Sequence, residues 1–314
     1  MSDLLTHWAI FEDLRCLAQR DPHMEPLLAE IMQTEREFAR LGALSRGGSR
    51  FVPRILKAAR AGWEAAPDRA LLRRKLAFAL GGVTHFPTDH ILKPIMSELA
   101  QADWSSTHTL IQQHGADEDL QRKLAVLQDI SVYYDVHVFR QVYLSGQEEP
   151  FSRFLMAEAG ETAPGQALAE FVYALFQRAL LASHTLDPDF SDFDGWLDNL
   201  IAKVQPLYLD VRIYSRVFEQ PDPAKIERYQ VETAFYARAD PAIQLARAAQ
   251  RGEPLLPQQL DSALAEGANA SGYGRTLALG MQALRAASAF WRGETPEPPD
   301  LKQGYRWQAG NTHP

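Results

Sequence analysis

The fold is decided by residues 76–94, which read LAFALGGVTHFPTDHILKP. On a helix, His85 and Asp89 lie on the same face because they are four residues apart. That face is otherwise apolar, since it continues to Phe78 in one direction and to Leu92 and Met96 in the other. A buried polar group costs about 2–7 kcal/mol unless it is satisfied. The pair therefore either bonds to itself and to nearby groups, or binds a divalent metal such as zinc, which accepts imidazole and carboxylate ligands.

Apolar residues recur at helical spacing along the whole chain, and no hairpin or strand–helix–strand pattern interrupts them. We therefore predict an all-α protein with a single multi-helix domain over residues 1–292. The proline-rich residues 293–314 should form an extended or disordered tail. The glycines and prolines of residues 81–94 should kink or break the long helical stretch that begins near residue 67. The other predicted helices are residues 3–20, 25–44, 52–65, 117–144, 164–183, 193–220, 224–239, 241–250 and 257–291.

Composition narrows the classes of function. The net charge of −8 argues against a nucleic-acid-binding protein, because binding to phosphates requires a clustered excess of Lys and Arg. The one cysteine, Cys16, excludes an internal disulfide framework and a cysteine-rich zinc site. The chain shows neither a signal-peptide pattern nor an apolar run of about 18 residues, so we expect no transmembrane segment and a cytoplasmic location. The sequence does not indicate an oligomeric state.

Three further polar residues interrupt apolar helix faces. His7 falls on the buried face of the first helix, where it is either a core histidine bonded to a carbonyl or a ligand. Asp135 shares a stripe with apolar residues, whereas His137 points towards a more polar face and is the weaker candidate. Both belong either to a polar cluster around Tyr133 and Tyr134 or to a metal site, because bundles build such sites from facing helices. The candidate metal ligands are therefore His7, His85, Asp89, Asp135 and His137, and no catalytic residue is predicted.

Four segments, in order over about the first 145 residues, carry a family resemblance. They are Thr6-His7-Trp-Ala-Ile, Leu41-Gly-Ala43, Gly81-Gly-Val-Thr-His85-Phe-Pro-Thr-Asp89 and the later stretch around Asp135. Together they resemble the bacterial zinc-dependent phospholipase C family. The resemblance implies an all-helical fold, a cluster of zinc ions and a phosphoester or phospholipid substrate.

The chain also departs from the family pattern at several positions. Ser45-Arg46-Gly47 stands where the family turn usually supplies an Asp, and Lys93 stands where a His often follows. Ser131 precedes Asp135 where the family has His-x-x-x-Glu. Lys93 could pair with Asp89 and neutralise it without a metal.

Two functions remain open from the sequence. The first is a metal-dependent phosphoester hydrolase in which the metal activates a bound water. The second is a non-catalytic helical protein that kept the fold, lost metal ligands and binds a partner or small molecule. In the first, the resemblance assigns metal binding to His7, His85, Asp89 and Asp135.

Overall fold

The structure, a computed structural model, describes residues 4–45, 48–102, 118–142 and 213–301. Every regular element in these ranges is helical, which confirms the all-α prediction for them. None of the described helices is both long enough and apolar enough to cross a membrane. The α-helices are α1 (Leu4–Ala18), α2 (Pro26–Thr34), α3 (Arg36–Leu44), α4 (Gly48–Gly62), α5 (Ala70–Ala100), α6 (Glu118–Val142), α7 (Pro223–Arg228), α8 (Pro241–Gln250), α9 (Pro257–Glu266) and α10 (Gly272–Arg292). Residues 213–219 are also helical.

Several predicted boundaries are wrong because the chain changes helix type or direction there. The predicted helix 25–44 is two helices, which meet at Glu35 with φ −106° and ψ 37°. The predicted helix 224–239 ends early, at Arg228. Two residues later Gln230 takes a positive φ of 50°, and a π-helical turn follows over Val231–Phe235. The predicted helix 257–291 is interrupted before Ser271, whose hydroxyl caps α10 by accepting from the Gly274 amide. The predicted helix 164–183 and most of 193–220 lie outside the described residues.

Helix α5 is the centre of the packing and runs unbroken through its two glycines and two prolines. The predicted break therefore does not occur, and the alternative, a kink, stays a prediction. A proline inside a helix costs about 3 kcal/mol, but each large apolar side chain that becomes buried contributes about 1.5–3 kcal/mol. The apolar residues of α5 that pack against α2, α3, α4 and α10 outweigh the prolines; those buried include Leu76, Leu80, Val83, Ile91, Leu92 and Met96.

Helices α3 and α5 cross at two glycines. A Cβ atom on Gly81 would lie 1.8 Å from the Ala39 carbonyl oxygen, and one on Gly42 would lie 1.9 Å from the Phe78 carbonyl oxygen. Only glycine permits such an approach of two backbones. This close approach brings the end of α3 against the face of α5 that carries His85.

The described residues fall into two compact units. The smaller contains residues 4–6, 128–142 and 213–231, and the larger contains residues 7–45, 48–102, 118–127 and 232–301. The single domain over residues 1–292 stays a prediction. Of the predicted tail, residues 302–314 lie outside the described part of the chain.

Candidate metal centre

Two helices of the larger unit supply a cluster of three potential metal ligands. His7 lies on α1, and His85 and Asp89 lie one turn apart on α5. One nitrogen of each imidazole and one oxygen of the carboxylate lie within 4.8 Å of one another. Both histidines are buried, whereas the side chain of Asp89 is 26% exposed. The structure therefore brings together three of the five residues that the sequence singled out, in a group that could hold a metal ion.

The separations within this group suit ligands arranged around an ion. Nε2 of His7 lies 3.3 Å from Oδ1 of Asp89, and Nε2 of His85 lies 3.4 Å from Oδ2. Hydrogen bonds of the N–H···O type centre on about 2.9–3.0 Å. Zinc bonds to nitrogen and oxygen are about 2.0–2.2 Å long, so two ligand atoms of a tetrahedral site are about 3.3–3.6 Å apart. The observed separations leave room for an ion between the ligand atoms, and they also permit long N–H···O hydrogen bonds.

A hydrogen bond from Nδ1 of His85 indicates which ring nitrogen carries the proton. The other nitrogen, Nε2, faces the carboxylate of Asp89. Nδ1 of His85 lies 2.8 Å from the Ala43 carbonyl oxygen. A carbonyl only accepts, so Nδ1 carries the proton and the neutral ring has its lone pair on Nε2. Burial, and then the charge of His7, lower the pKa of His85 and favour the neutral ring. Nε2 and the carboxylate of Asp89 are then two electron-rich groups facing each other, an arrangement that a cation would stabilise.

Asp89 lies between this imidazole pair and a lysine. The rings of His7 and His85 are stacked, with centroids 4.4 Å apart. Burial raises the pKa of Asp89, but the positive charge and the hydrogen bonds that the two imidazoles supply when they are protonated outweigh burial and lower it well below its usual value of 3.8. On the outer side, Nζ of Lys93 forms an ion pair with Oδ2 of Asp89 across one helical turn. The pairing of Lys93 with Asp89 that the sequence suggested is therefore confirmed.

The backbone of α3 positions His85. The glycine crossing places the Ala43 carbonyl where Nδ1 of His85 can donate to it. In metal sites, a histidine ligand commonly donates its second N–H to such a carbonyl, which fixes the orientation of the ring. Two residues further on, the hydroxyl of Ser45 donates to the Leu41 carbonyl oxygen at 2.8 Å. Ser45 thus caps the end of its own helix.

Asp135 is held by a different set of groups, all in the smaller unit. Its Oδ1 accepts hydrogen bonds from the amide and the hydroxyl of Thr6, at 2.8 and 2.6 Å. Its Oδ2 accepts from the hydroxyl of Tyr214 at 2.6 Å. Among the described residues, neither Asp135 nor the half-buried His137 belongs to the group of three potential ligands. Metal binding by these two residues stays a prediction.

Sequence reasoning missed the groups that hold these side chains in place. The Ala43 carbonyl acts through the backbone, which side-chain patterns do not report. Thr6 was quoted only as part of a motif, and Tyr214 lies 79 residues from Asp135. The available signal was Thr6, at the start of α1. Its hydroxyl is buried and therefore needs a hydrogen-bond partner elsewhere in the protein.

The chain matches no family model, no curated protein and no solved structure. The resemblance to zinc-dependent phospholipase C therefore depends on the quoted motifs alone.

Proposed function

We propose that this protein is a metal-dependent phosphoester hydrolase whose divalent ion is bound by His7, His85 and Asp89. The observation that carries the proposal is the orientation of His85. Its Nδ1 lies 2.8 Å from the Ala43 carbonyl oxygen, and its Nε2 faces the carboxylate of Asp89 at 3.4 Å. Two imidazoles and one carboxylate form a ligand set that suits zinc.

The residues of the chain would bind the ion and leave it open to substrate. His7 and His85 would bind through Nε2, and Asp89 through a carboxylate oxygen. Three protein ligands leave one tetrahedral position for water, as in catalytic zinc sites. The partial exposure of Asp89 provides access on its side of the cluster. When bound, the ion would supply an acidified water and would screen the charge of a phosphoryl group. The choice of a phosphoester follows from the motif resemblance.

Metal content tests the binding step directly. Protein purified without chelator and then offered zinc should retain up to one ion per chain, measured by elemental analysis after desalting. Replacing His85 with Ala should abolish retention and the rise in thermal midpoint that zinc causes, because a ligand that binds only the folded state stabilises it. The matched control is His90→Ala, which removes a histidine of α5 outside the group of three. Retention by H85A, or none by the wild type, would refute the proposed site.

A non-catalytic binding protein is the second candidate, and the Lys93–Asp89 ion pair favours it. An ammonium group already neutralises the carboxylate that the metal would need. The two candidates differ in turnover of phosphodiester and phospholipid analogues with added Zn²⁺ or Mn²⁺. Turnover that disappears in H85A supports the hydrolase, and zinc binding without turnover under either metal supports the binding protein.

A further inference from the structure

Lys93 holds the oxygen of Asp89 that the proposed metal site needs. Its ammonium pairs with Oδ2, the same oxygen that lies 3.4 Å from Nε2 of His85. The inner side of the carboxylate is buried against two imidazoles, so Lys93 provides the positive charge from the outer side. A divalent ion that binds between His85 and Asp89 must share this oxygen with the ammonium or displace it.

The geometry of Lys93 suits displacement. Its side chain is 37% exposed, and its four-carbon stem allows the ammonium to move into water. An ammonium and a divalent ion on one carboxylate repel each other strongly at the low effective dielectric constant of a partly buried site.

We propose that Lys93 is a tethered cation that competes with the divalent metal for Asp89 and thereby sets the metal affinity of the site. This inference depends on the proposed metal site and describes how the affinity of that site for metal is regulated. Metal binding releases Lys93 from Asp89, and loss of the metal returns it. The lysine keeps the carboxylate neutralised whenever the ion is absent, and it sets a threshold metal concentration for occupancy.

The test compares zinc and cobalt affinities of the full-length chain by calorimetry. Lys93→Met removes the charge but keeps much of the apolar stem, and it should bind about tenfold or more tightly than the wild type. Lys93→Arg keeps the charge and should bind with an affinity close to that of the wild type. Lys75→Met is the matched control, because it removes a lysine from the same helix about 27 Å away along the axis. Its metal affinity should not change.

A second measurement follows the lysine itself. Acylation of surface amines, read by mass spectrometry, should become faster at Lys93 when zinc is added and should not change at Lys75. Equal metal affinity of the wild type and K93M, together with unchanged acylation at Lys93, would overturn the competition and leave the metal site intact. No metal bound by either protein would overturn both. Tighter binding by K93M, with faster acylation in the wild type, supports both.

Discussion

Glu12 shows how a buried charge is accommodated in the larger unit. Its Oε1 accepts from Nε of Arg40 at 2.6 Å and from Nε of Arg36 at 2.9 Å, and its Oε2 accepts from Nε of Arg15 at 3.0 Å. Burial raises the pKa of Glu12, but the three arginines outweigh it and lower the pKa from 4.5 to about 2. The ionised carboxylate therefore stabilises the folded state through two arginines of one other helix, α3, and one arginine of its own helix, α1.

Replacing Glu12 with Gln should destabilise the protein in a pH-dependent way. The folded pKa lies below the unfolded pKa, so the ionised group contributes stability above about pH 4.5 and loses it as the pH falls towards 2. At about 1.4 kcal/mol per pKa unit, the loss in E12Q should be about 3 kcal/mol at neutral pH. Urea unfolding between pH 7 and pH 3 measures it. The difference from the wild type should shrink as the pH falls.

The control for this variant is Glu37→Gln. Glu37 also pairs with Arg40, at 3.1 Å, but its side chain is 59% exposed. Exposed ion pairs contribute about 0–1 kcal/mol, so E37Q should remain close to the wild type. A difference between E12Q and the wild type that is the same at every pH would contradict the electrostatic explanation.

At the residue scale, spacing along the sequence predicted the relations between site residues that lie on one helix. The relation of His85 to Asp89, and of Asp89 to Lys93, follows from four-residue steps on one helix. The burial of His7 followed from helical periodicity. The partners that orient these groups come from other helices, and their positions depend on packing that spacing does not encode.

The contact between α3 and α5 is the element-scale feature on which the site depends. It replaces side-chain packing with backbone contact at Gly42 and Gly81. The sequence predicted a kink or break in α5, because propensity alone counts the prolines and not the packing, and the break does not occur. Helix propensity is a weak guide wherever several buried side chains oppose it.

Replacing Gly81 with Ala should destabilise the protein by at least about 2 kcal/mol, because the added methyl group would lie 1.8 Å from the Ala39 carbonyl oxygen. On an unhindered helix, the same change would stabilise by about 1 kcal/mol, so the sign of the effect is diagnostic. The displacement of α3 should also withdraw the Ala43 carbonyl from His85 and weaken zinc binding. Thermal unfolding and calorimetry measure the two effects.

Gly62→Ala is the control for the helix contact. The nearest atom to its added methyl group would be Cδ1 of Leu72, at 3.9 Å, which is ordinary van der Waals contact. Its thermal midpoint and zinc affinity should therefore stay close to those of the wild type. A G81A protein with the stability of the wild type would show that the two helices do not meet through their backbones at this point.

At the scale of the whole molecule, the larger unit joins a helix near the N-terminus to two helices that follow more than 230 residues later. Asp13 of α1 accepts hydrogen bonds from Nε2 of Gln250 at 2.7 Å and from the hydroxyl of Tyr273 at 2.8 Å. It also forms an ion pair with Arg247. These partners are more than 230 residues away along the chain. Apolar periodicity predicted the helical class of the described segments, but no periodic pattern relates positions so far apart, so this contact could not be predicted.

Replacing Asp13 with Asn tests how much this buried contact stabilises the fold. Asp13 is fully buried, and the substitution would leave the guanidinium of Arg247 without its counter-charge in a side chain that is only 17% exposed. Removing one partner of a buried ion pair costs about 3–5 kcal/mol, so the thermal midpoint should fall by more than about 5 °C.

The control, Asp261→Asn, removes an exposed carboxylate that pairs with Arg285 and should lower the midpoint by no more than about 2 °C. Hydrogen exchange should locate the loss of D13N in α1, α8 and α10. Equal thermal midpoints for D13N and D261N would show that the contacts of Asp13 do not stabilise the packing of α1, α8 and α10.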